Sequence, residues 1–227
     1  GCKRREWGDL AAWMVRFGLF SPRNRWLVQL PRIYRVFRAT GLVASFADQL
    51  AHTFLPLVEA TLRPEAHPAL ARFLEHVSGF DSVDDETAPE APLTFESARG
   101  AGSAGSARGG VPRASDWTSA ANPPYAFQLY YLAANLRVLN ALRRAKGLNT
   151  FALRPHCGES GDLLHLASGY LLATGISHGI QLNHSVALQY LFYLDEVGVA
   201  VSPTSNNFLF CKYASSPFHK LFMRGLN

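Results

Sequence analysis

Two ionisable side chains flank a cysteine and a glycine in the stretch HCGE, residues 156–159. His156 ends the apolar run TFALRPH, which predicts a strand buried in the protein. Gly158 allows a sharp bend, so that Glu159 can face the same side as His156. Imidazole nitrogen is a common zinc ligand, and a glutamate in a dry pocket can stay protonated near neutral pH. The stretch therefore predicts a metal ligand next to a general acid or base.

A second histidine lies at the end of the next predicted strand. His178 ends the run GISH, residues 175–178, and a glycine follows it. In a barrel of parallel strands, the carboxyl ends of neighbouring strands meet at the edge where the active site is built. We therefore expect His178 to lie close to His156 and Glu159.

A structural interpretation of the same residues stays open. His156 can be a hydrogen-bonded core histidine, and Glu159 can cap the helix that is predicted to begin near Asp162. Cys157 is not predicted to be a nucleophile, since neighbours on a strand point to opposite faces. The remaining histidines lack the spacing of metal ligands and are interpreted as structural or surface residues: His52, His67, His76, His165, His184 and His219.

An acidic cluster follows another predicted strand, in GFDSVDDE, residues 79–86. Carboxylates of this kind can bind a hard cation, and the candidate ligands are Asp81, Asp84, Asp85 and Glu86. A run of acidic residues after a strand serves turn formation and helix capping more often. We keep a contact with the substrate through Asp84 and Asp85 as a hypothesis.

The elements that must position these residues alternate between helical and extended patterns. Helical patterns occupy residues 6–20, 45–62, 67–77, 125–147, 162–173 and 185–196. Extended runs occupy residues 25–31, 79–86, 150–156, 175–178 and 197–203. Repeated strand and helix units predict an α/β fold with a parallel sheet, either open or closed into a barrel. His156, His178, and Ser202 with Asn206, all follow predicted strands, so polar groups collect at one edge of this sheet.

Residues at about 88–121 differ in composition from the rest of the chain. They are rich in alanine, glycine, serine and proline and offer few side chains to bury, which predicts a disordered surface insertion. Its GAGSAG motif has neither a preceding strand nor a following Gly-Lys-Ser/Thr, so a phosphate-binding loop is not predicted.

Composition narrows the class of protein. The chain has 227 residues, 48% of them hydrophobic, which is enough for one large domain or two small ones. It contains no apolar run that could span a membrane, and its three cysteines show no disulfide or zinc-ribbon spacing. These features predict a soluble protein of the cytosol. The net charge of +5 allows a nucleic-acid partner, but the basic residues fit solvated helix faces better, so nucleic-acid binding is not favoured.

Several stretches together resemble the AMP deaminase family, within the wider adenosine and AMP deaminase superfamily. They include FLEHVSGFDSVDDE, NPPYAFQLYYLAANL, FALRPHCGE, ISHG and SPTSNN. The motif HCGE followed by SHG, and the earlier GFDSVDDE, distinguish the family from unrelated barrels better than any single histidine. The resemblance implies a (β/α)8 TIM-type barrel that is incomplete, with about strands 3 to 7 and without strands 1, 2 and 8. Residues 1–227 would then form a partial metal-dependent deaminase domain.

The resemblance also implies roles for single residues. His156 corresponds to a zinc ligand, Glu159 to the group that binds and protonates the purine ring at N1, and His178 to the base and electrostatic partner of the zinc-bound water. The implied reaction is the hydrolytic deamination of AMP to IMP and ammonia, with one Zn²⁺ ion per complete catalytic domain. The family further implies a homotetramer, whereas the cytosolic location and the absence of a nucleic-acid or membrane partner are expected from the composition described above.

The sequence departs from the family pattern at the remaining zinc ligands. A family member carries a His-x-His pair on its first barrel strand and an Asp-Asp pair on its last, and neither is found at these places here. One ligand cannot hold a catalytic zinc, so we predict that this chain alone is inactive and poorly stable. The alternative is a noncatalytic barrel homologue that acts as a structural or regulatory subunit.

Overall fold

The computed structural model describes residues 3–100 and 111–226. The chain divides into two compact units, the first formed by Gly1–Gly79 and Glu90–Phe151, and the second by Phe80–Pro89 and Ala152–Asn227. Both units contain helices and strands, which confirms the predicted α/β class.

The first unit is mainly helical. Its elements are α1 (Glu6–Arg16), β1 (Trp26–Pro31), α2 (Tyr34–Ala39), α3 (Phe46–Leu62), α4 (Pro68–Glu75), the start of β2 (Val77–Val83), α5 (Phe95–Arg99) and α6 (Tyr125–Ala145). Ser45 and Asp48 form a capping box at the start of α3, which explains the sharp beginning of that helix. Gly147, with φ of 70°, follows the end of α6 and coincides with the last residue of the helical pattern predicted at 125–147. Aromatic rings fill the core, with Phe46 against Tyr34, Phe127 and Tyr131.

The second unit carries the predicted strand ends. It contains the rest of β2, then β3 (Ala152–Leu153), β4 (His156–Cys157), α7 (Leu163–Leu172), β5 (Gly175–His178), α8 (Val186–Leu194), β6 (Gly198–Ala200), α9 (Pro203–Leu209) and α10 (Phe218–Met223). Strands β4, β5 and β6 form a parallel sheet in that order. The register pairs Cys157 with His178 and Ile176 with Val199.

The predicted strand at 150–156 is interrupted. The structure gives two short strands, β3 and β4, separated by Arg154 and Pro155. Pro155 has no N–H to donate and restricts the backbone of Arg154, so a regular ladder cannot pass through this dipeptide. The backbone N–H of His156 donates instead to the carboxylate of Asp81 over 3.0 Å.

The described strands form two sheets of three strands each. Within residues 3–100 and 111–226 they do not close a barrel, so the incomplete (β/α)8 barrel stays a prediction beyond the confirmed α/β class. In the part of the chain that the structure describes, every helix is too short or too polar to cross a membrane.

The structure differs from the predicted disordered insertion at both of its flanks. Helix α5 is capped by Thr94, whose hydroxyl accepts from Ser97 N. Trp117 is fully buried, and Arg99 forms an ion pair with Asp116 over 2.7 Å. The composition of the segment did not indicate that Trp117 would be buried. The central residues 101–110 lie outside the described residues.

Candidate active site

The structure brings three of the predicted site residues together at the strand ends of the second unit. The rings of His156 and His178 have centroids 4.7 Å apart. Nδ1 of His178 lies 3.1 Å from Oε1 of Glu159. The three residues come from the ends of β4 and β5 and the turn after β4, so the parallel pairing of these strands brings them to one edge of the sheet.

The backbone at the end of β5 adopts an unusual conformation. His178 has φ of 74°, in the left-handed region that residues other than glycine seldom adopt, and Gly179 follows with φ of 60°. Such a backbone costs on the order of 1–3 kcal/mol and persists when surrounding contacts hold it in place. Here it ends the strand abruptly and leaves His178 buried beside Glu159.

Burial sets the proton affinity of Glu159. The carboxyl group is largely withdrawn from water, and this burial raises its pKa above that of an ordinary glutamate. The nearby His156 opposes the increase, whereas the negative charge of Glu86 adds to it. Glu159 therefore holds a proton at a higher pH than an exposed glutamate does, as a general acid requires.

His178 is shifted in the opposite sense. Burial lowers its pKa, and the neighbouring ring of His156 lowers it further, since two imidazolium charges would repel each other. The neutral ring, which is able to accept a proton, is thus favoured. A carboxyl that keeps its proton and an imidazole that gives its proton up lie in contact here, and such a pair suits acid–base chemistry.

His156 is oriented by Asp81. Oδ1 of Asp81 lies 2.9 Å from Nδ1 of His156, and it also accepts from the backbone N–H of Ser82 over 2.6 Å. A carboxylate on one ring nitrogen is the usual way to orient a histidine that binds metal through the other nitrogen, Nε2. The placement of His156 fits a metal ligand, although it is also compatible with a hydrogen-bonded structural histidine.

A complete zinc site is not formed by the described residues. Among them, no three His, Cys, Asp or Glu side chains are grouped so that they could hold a metal ion. A catalytic zinc takes about three protein ligands, and His156 supplies one at most. The described residues therefore do not fit zinc without additional ligands.

Asp84 and Asp85, the residues predicted to contact the substrate, differ in exposure. Asp85 is exposed, and its Oδ1 accepts from the backbone N–H and the hydroxyl of Thr87, over 2.9 and 2.6 Å. Asp84 is half-buried. Asp85 thus takes part in a turn, as the alternative interpretation expected, and a substrate contact by either residue stays a prediction.

The capping alternative for Glu159 is wrong, because another residue caps the helix. Oδ1 of Asp162 accepts from the backbone N–H of Leu164 over 2.8 Å at the start of α7. Glu159 contacts His178 and Asn206 instead. Helix capping therefore does not explain why a glutamate occupies position 159.

Sequence reasoning assigned no role to Asn206, which completes the cluster. Asn206 is 2% exposed, and its Nδ2 lies 2.8 Å from Nδ1 of His178 and 3.3 Å from Oε1 of Glu159. Among the described residues, its Oδ1 is a buried atom without a hydrogen-bond partner. The available signal was its position in SPTSNN, just after a predicted strand.

A second pair was also missed. Oε2 of Glu86 accepts from the backbone N–H of Gly158 over 2.8 Å and lies 3.2 Å from Nδ1 of His165. Both side chains are almost completely buried. His165 was correctly interpreted as a structural histidine in the sense that it contacts the protein interior. No pattern in the sequence links the acidic run with this part of the chain.

The family model and the relatives that match this chain all point to the same family. Residues 1–227 match the family model described as AMP deaminase. The AMP deaminase of Schizosaccharomyces pombe is 48% identical over 227 residues, which are 100% of this chain and 26% of that protein. AMP deaminase 3 of Rattus norvegicus is 44% identical, and the AMP deaminase of Arabidopsis thaliana is 46% identical, each over 100% of this chain and over 28% and 25% of the relative. The chain thus spans about a quarter of the length of these relatives.

A comparison with solved structures matches the adenine deaminase from Arthrobacter aurescens. The two chains share 17% sequence identity, and the match covers 96% of this chain and 75% of that chain with a TM-score of 0.39. A score at this level carries no argument about the fold or the function.

Proposed function

Because this chain belongs to the AMP deaminase family, we propose that it forms part of an enzyme that hydrolyses AMP to IMP and ammonia. The observation that supports this proposal most directly is the contact between Glu159 and His178, whose pKa values are shifted in opposite directions. The chain corresponds to part of each relative, so the activity is proposed for the complete polypeptide that contains it.

Glu159 acts in its protonated form. As water attacks C6 of the purine, electron density moves onto ring nitrogen N1, and a neighbouring carboxylic acid stabilises that charge by donating its proton. Burial keeps this proton on Glu159 at a higher pH than usual. When the hydroxyl group on C6 becomes a carbonyl, Glu159 recovers a proton from it, and the cycle closes.

His178 acts in its neutral form. In the neutral ring that can act as this base, Nδ1 carries the hydrogen and donates to Oε1 of Glu159, and the amide of Asn206 turns its oxygen toward Nδ1. Nε2 is then unprotonated, so it takes a proton from the attacking water and passes it to the leaving amino group. The amino group departs as ammonia, and the oxygen of water remains on C6 of IMP. Atoms balance, since one water enters and one ammonia leaves.

The family resemblance also proposes one Zn²⁺ ion per complete catalytic domain. A bound zinc lowers the pKa of water toward about 7 and so makes hydroxide available at neutral pH. His156 would supply one ligand through Nε2, with its ring held by Asp81. The other ligands would come from residues outside the described set, and this chain alone is proposed to be inactive.

Further parts of the proposal rest on the family resemblance without support from the contacts described above. They are an incomplete (β/α)8 barrel for residues 1–227, a cytosolic homotetramer, and AMP as the substrate.

The test uses the full-length polypeptide that contains this chain. Ammonia release from AMP and bound zinc are measured for the unmutated protein, for Glu159→Gln and for the exposed control Glu196→Gln. We expect Glu159→Gln to lower kcat by about 10²–10⁴-fold with unchanged zinc content, because it removes a general acid and no ligand. Glu196→Gln should retain full activity.

Two results would contradict the proposal. Loss of zinc in Glu159→Gln would mean that Glu159 is a ligand, and not the acid. An unmutated full-length protein that binds no zinc and releases no ammonia would favour the noncatalytic homologue.

A further inference from the structure

Glu86 holds the turn that carries Glu159 at both of its ends. At the start of the turn, the backbone N–H of Gly158 donates to Oε2 of Glu86 over 2.8 Å. At the end, Gly161 lies so close to the Glu86 backbone that a Cβ atom at position 161 would collide with the Glu86 carbonyl oxygen. Gly158 and Gly161 have φ values of 66° and 72°, so both also adopt a conformation that favours glycine.

His165 links the same carboxylate to the helix after the turn. Nδ1 of His165 lies 3.2 Å from Oε2 of Glu86, and His165 belongs to the first turn of α7. The exposed fractions of the two side chains are 5% and 1%. Polar groups buried this completely need partners, so the carboxylate of Glu86 is fixed in place together with the turn that it contacts.

The position of the Glu159 carboxyl depends on this turn. Glu159 is the second of the four residues 158–161, so a shift of the backbone at either end moves its side chain relative to His178. Proton transfer requires hydrogen-bond distance, and a misplacement of about 1 Å can lower a rate by about 10²-fold. A rigid turn therefore keeps the Glu159 carboxyl at the distance that proton transfer requires.

We propose that Glu86 is a positioning residue of the deamination reaction, which acts by holding the 158–161 turn through the N–H of Gly158. The inference rests on the proposed function, because it assigns the benefit of this contact to Glu159 as the acid. Glu86 does not touch the substrate, since its side chain is 1% exposed. The hydrogen bond from the Gly158 N–H requires an acceptor oxygen at the distance that a glutamate side chain provides. The negative charge of Glu86 matters less for this hydrogen bond than the position of the oxygen.

Two conservative variants distinguish the effect of the side-chain length of Glu86 from the effect of its negative charge. Glu86→Gln keeps the side-chain length and an oxygen that accepts from Gly158 N–H, but loses the charge next to His165. Glu86→Asp keeps the charge, but withdraws the acceptor by one methylene. If Glu86 serves as a charge partner of His165 alone, Glu86→Asp should be the better tolerated variant. If it positions the turn, Glu86→Gln should be.

The experiment measures kcat and KM for AMP, bound zinc and amide hydrogen exchange over residues 156–164 in the full-length polypeptide, with Glu196→Gln as a control. For Glu86→Asp we expect kcat to fall about 10²-fold with KM within about threefold, and faster exchange in the turn. For Glu86→Gln we expect kcat within about tenfold of the unmutated protein and exchange like that of the unmutated protein. Zinc content should not change in either variant.

The reverse order of the two variants, or equal kcat per folded molecule in both, would overturn the inference. A full-length protein that releases no ammonia from AMP would overturn the proposed function instead. Hydrogen exchange still distinguishes the two variants in that case, because protection of the Gly158 N–H does not require turnover. Slow exchange in Glu86→Asp would then show that Glu86 does not hold the turn.

Discussion

Two buried polar clusters of this chain are built in different ways. In the first unit, Arg143 is 2% exposed, and its guanidinium donates to the hydroxyl of Thr61 and to the carbonyl and side-chain oxygens of Asn149, over 3.1, 2.6 and 2.7 Å. It also lies over the ring of Phe151, at 4.4 Å. In the second unit, His178, Glu159 and Asn206 meet within 3.3 Å of one another.

The two clusters differ in the partners of their ionisable groups. Arg143 bonds to neutral acceptors, and burial lowers its pKa to about 10, so it remains charged at neutral pH. The second cluster joins a carboxyl whose pKa is raised to an imidazole whose pKa is lowered. Neutral acceptors around a permanent charge make a structural link, whereas two titratable groups in contact permit proton exchange. Changes in the first cluster should affect stability, and changes in the second should affect activity.

The largest expected effect is on activity, from His178→Gln. We expect kcat for AMP in the full-length polypeptide to fall by about 10²–10⁴-fold, because a general base is lost. The thermal midpoint should change little. An exposed histidine of the same unit provides the control, His184→Gln, which should be as active as the unmutated protein. Full activity of the His178→Gln protein would contradict the expectation that the second cluster serves the reaction.

Arg143→Met should act on stability. Its loss leaves buried acceptors at Thr61 and Asn149 without their donor, which we expect to lower the free energy of unfolding by about 3 kcal/mol. The kcat per folded molecule should not change. Arg144→Met is the matched control, since Arg144 is exposed in the same last turn of α6. Denaturant titration of the three proteins is the measurement, and equal midpoints would contradict a structural role for Arg143.

Asn206 tests which hydrogen-bonding property the second cluster needs. Asn206→Asp offers acceptor oxygens to a protonated Nδ1 of His178 and leaves Nε2 to accept a proton, so we expect kcat within about tenfold of the unmutated protein. Asn206→Leu offers no hydrogen bond, and its kcat should fall about tenfold further. Steady-state kinetics on AMP decide the order. Asn207→Asp is the control, because Asn207 is exposed and its Oδ1 accepts from Tyr213 N, as a carboxylate also would.

The smallest expected effect is on the pH dependence of stability. Because burial raises the pKa of Glu159 above 4.5, the folded state binds this proton more tightly than the unfolded state. The resulting stabilisation is fully present below about pH 4.5 and is lost as the pH rises through the pKa of the folded protein. Glu159→Gln removes that loss, so its thermal midpoint should exceed that of the unmutated protein at neutral pH but not at pH 4. An equal difference at both pH values would contradict this linkage.

The sequence predicted the part of the site that follows from strand ends. His156, Glu159 and His178 lie in or next to strands β4 and β5, and parallel strands bring such ends together whatever the details of packing. The helix periods of α3 and α6 were also clear, because apolar residues recur on one face over 17 and 21 residues.

Contacts between distant side chains were not predictable in this way. Glu86 and Gly158 are 72 positions apart, and nothing in either local pattern names the other as its partner. Arg143 lies in the last turn of α6, and its guanidinium is buried because Thr61 and Asn149 provide acceptors there, which the helical pattern alone does not indicate. Periodicity reports which face of an element is buried, whereas it does not report which polar atoms meet inside.

One oxygen atom of Asp81 has a consequence for protein engineering. The same Oδ1 accepts the backbone N–H of His156 and contacts Nδ1 of its ring. A substitution at Asp81 would therefore alter the path of the main chain and the direction of the imidazole simultaneously. Substitutions that are meant to redirect the His156 ring should therefore leave Asp81 unchanged and vary positions that touch one of these two features.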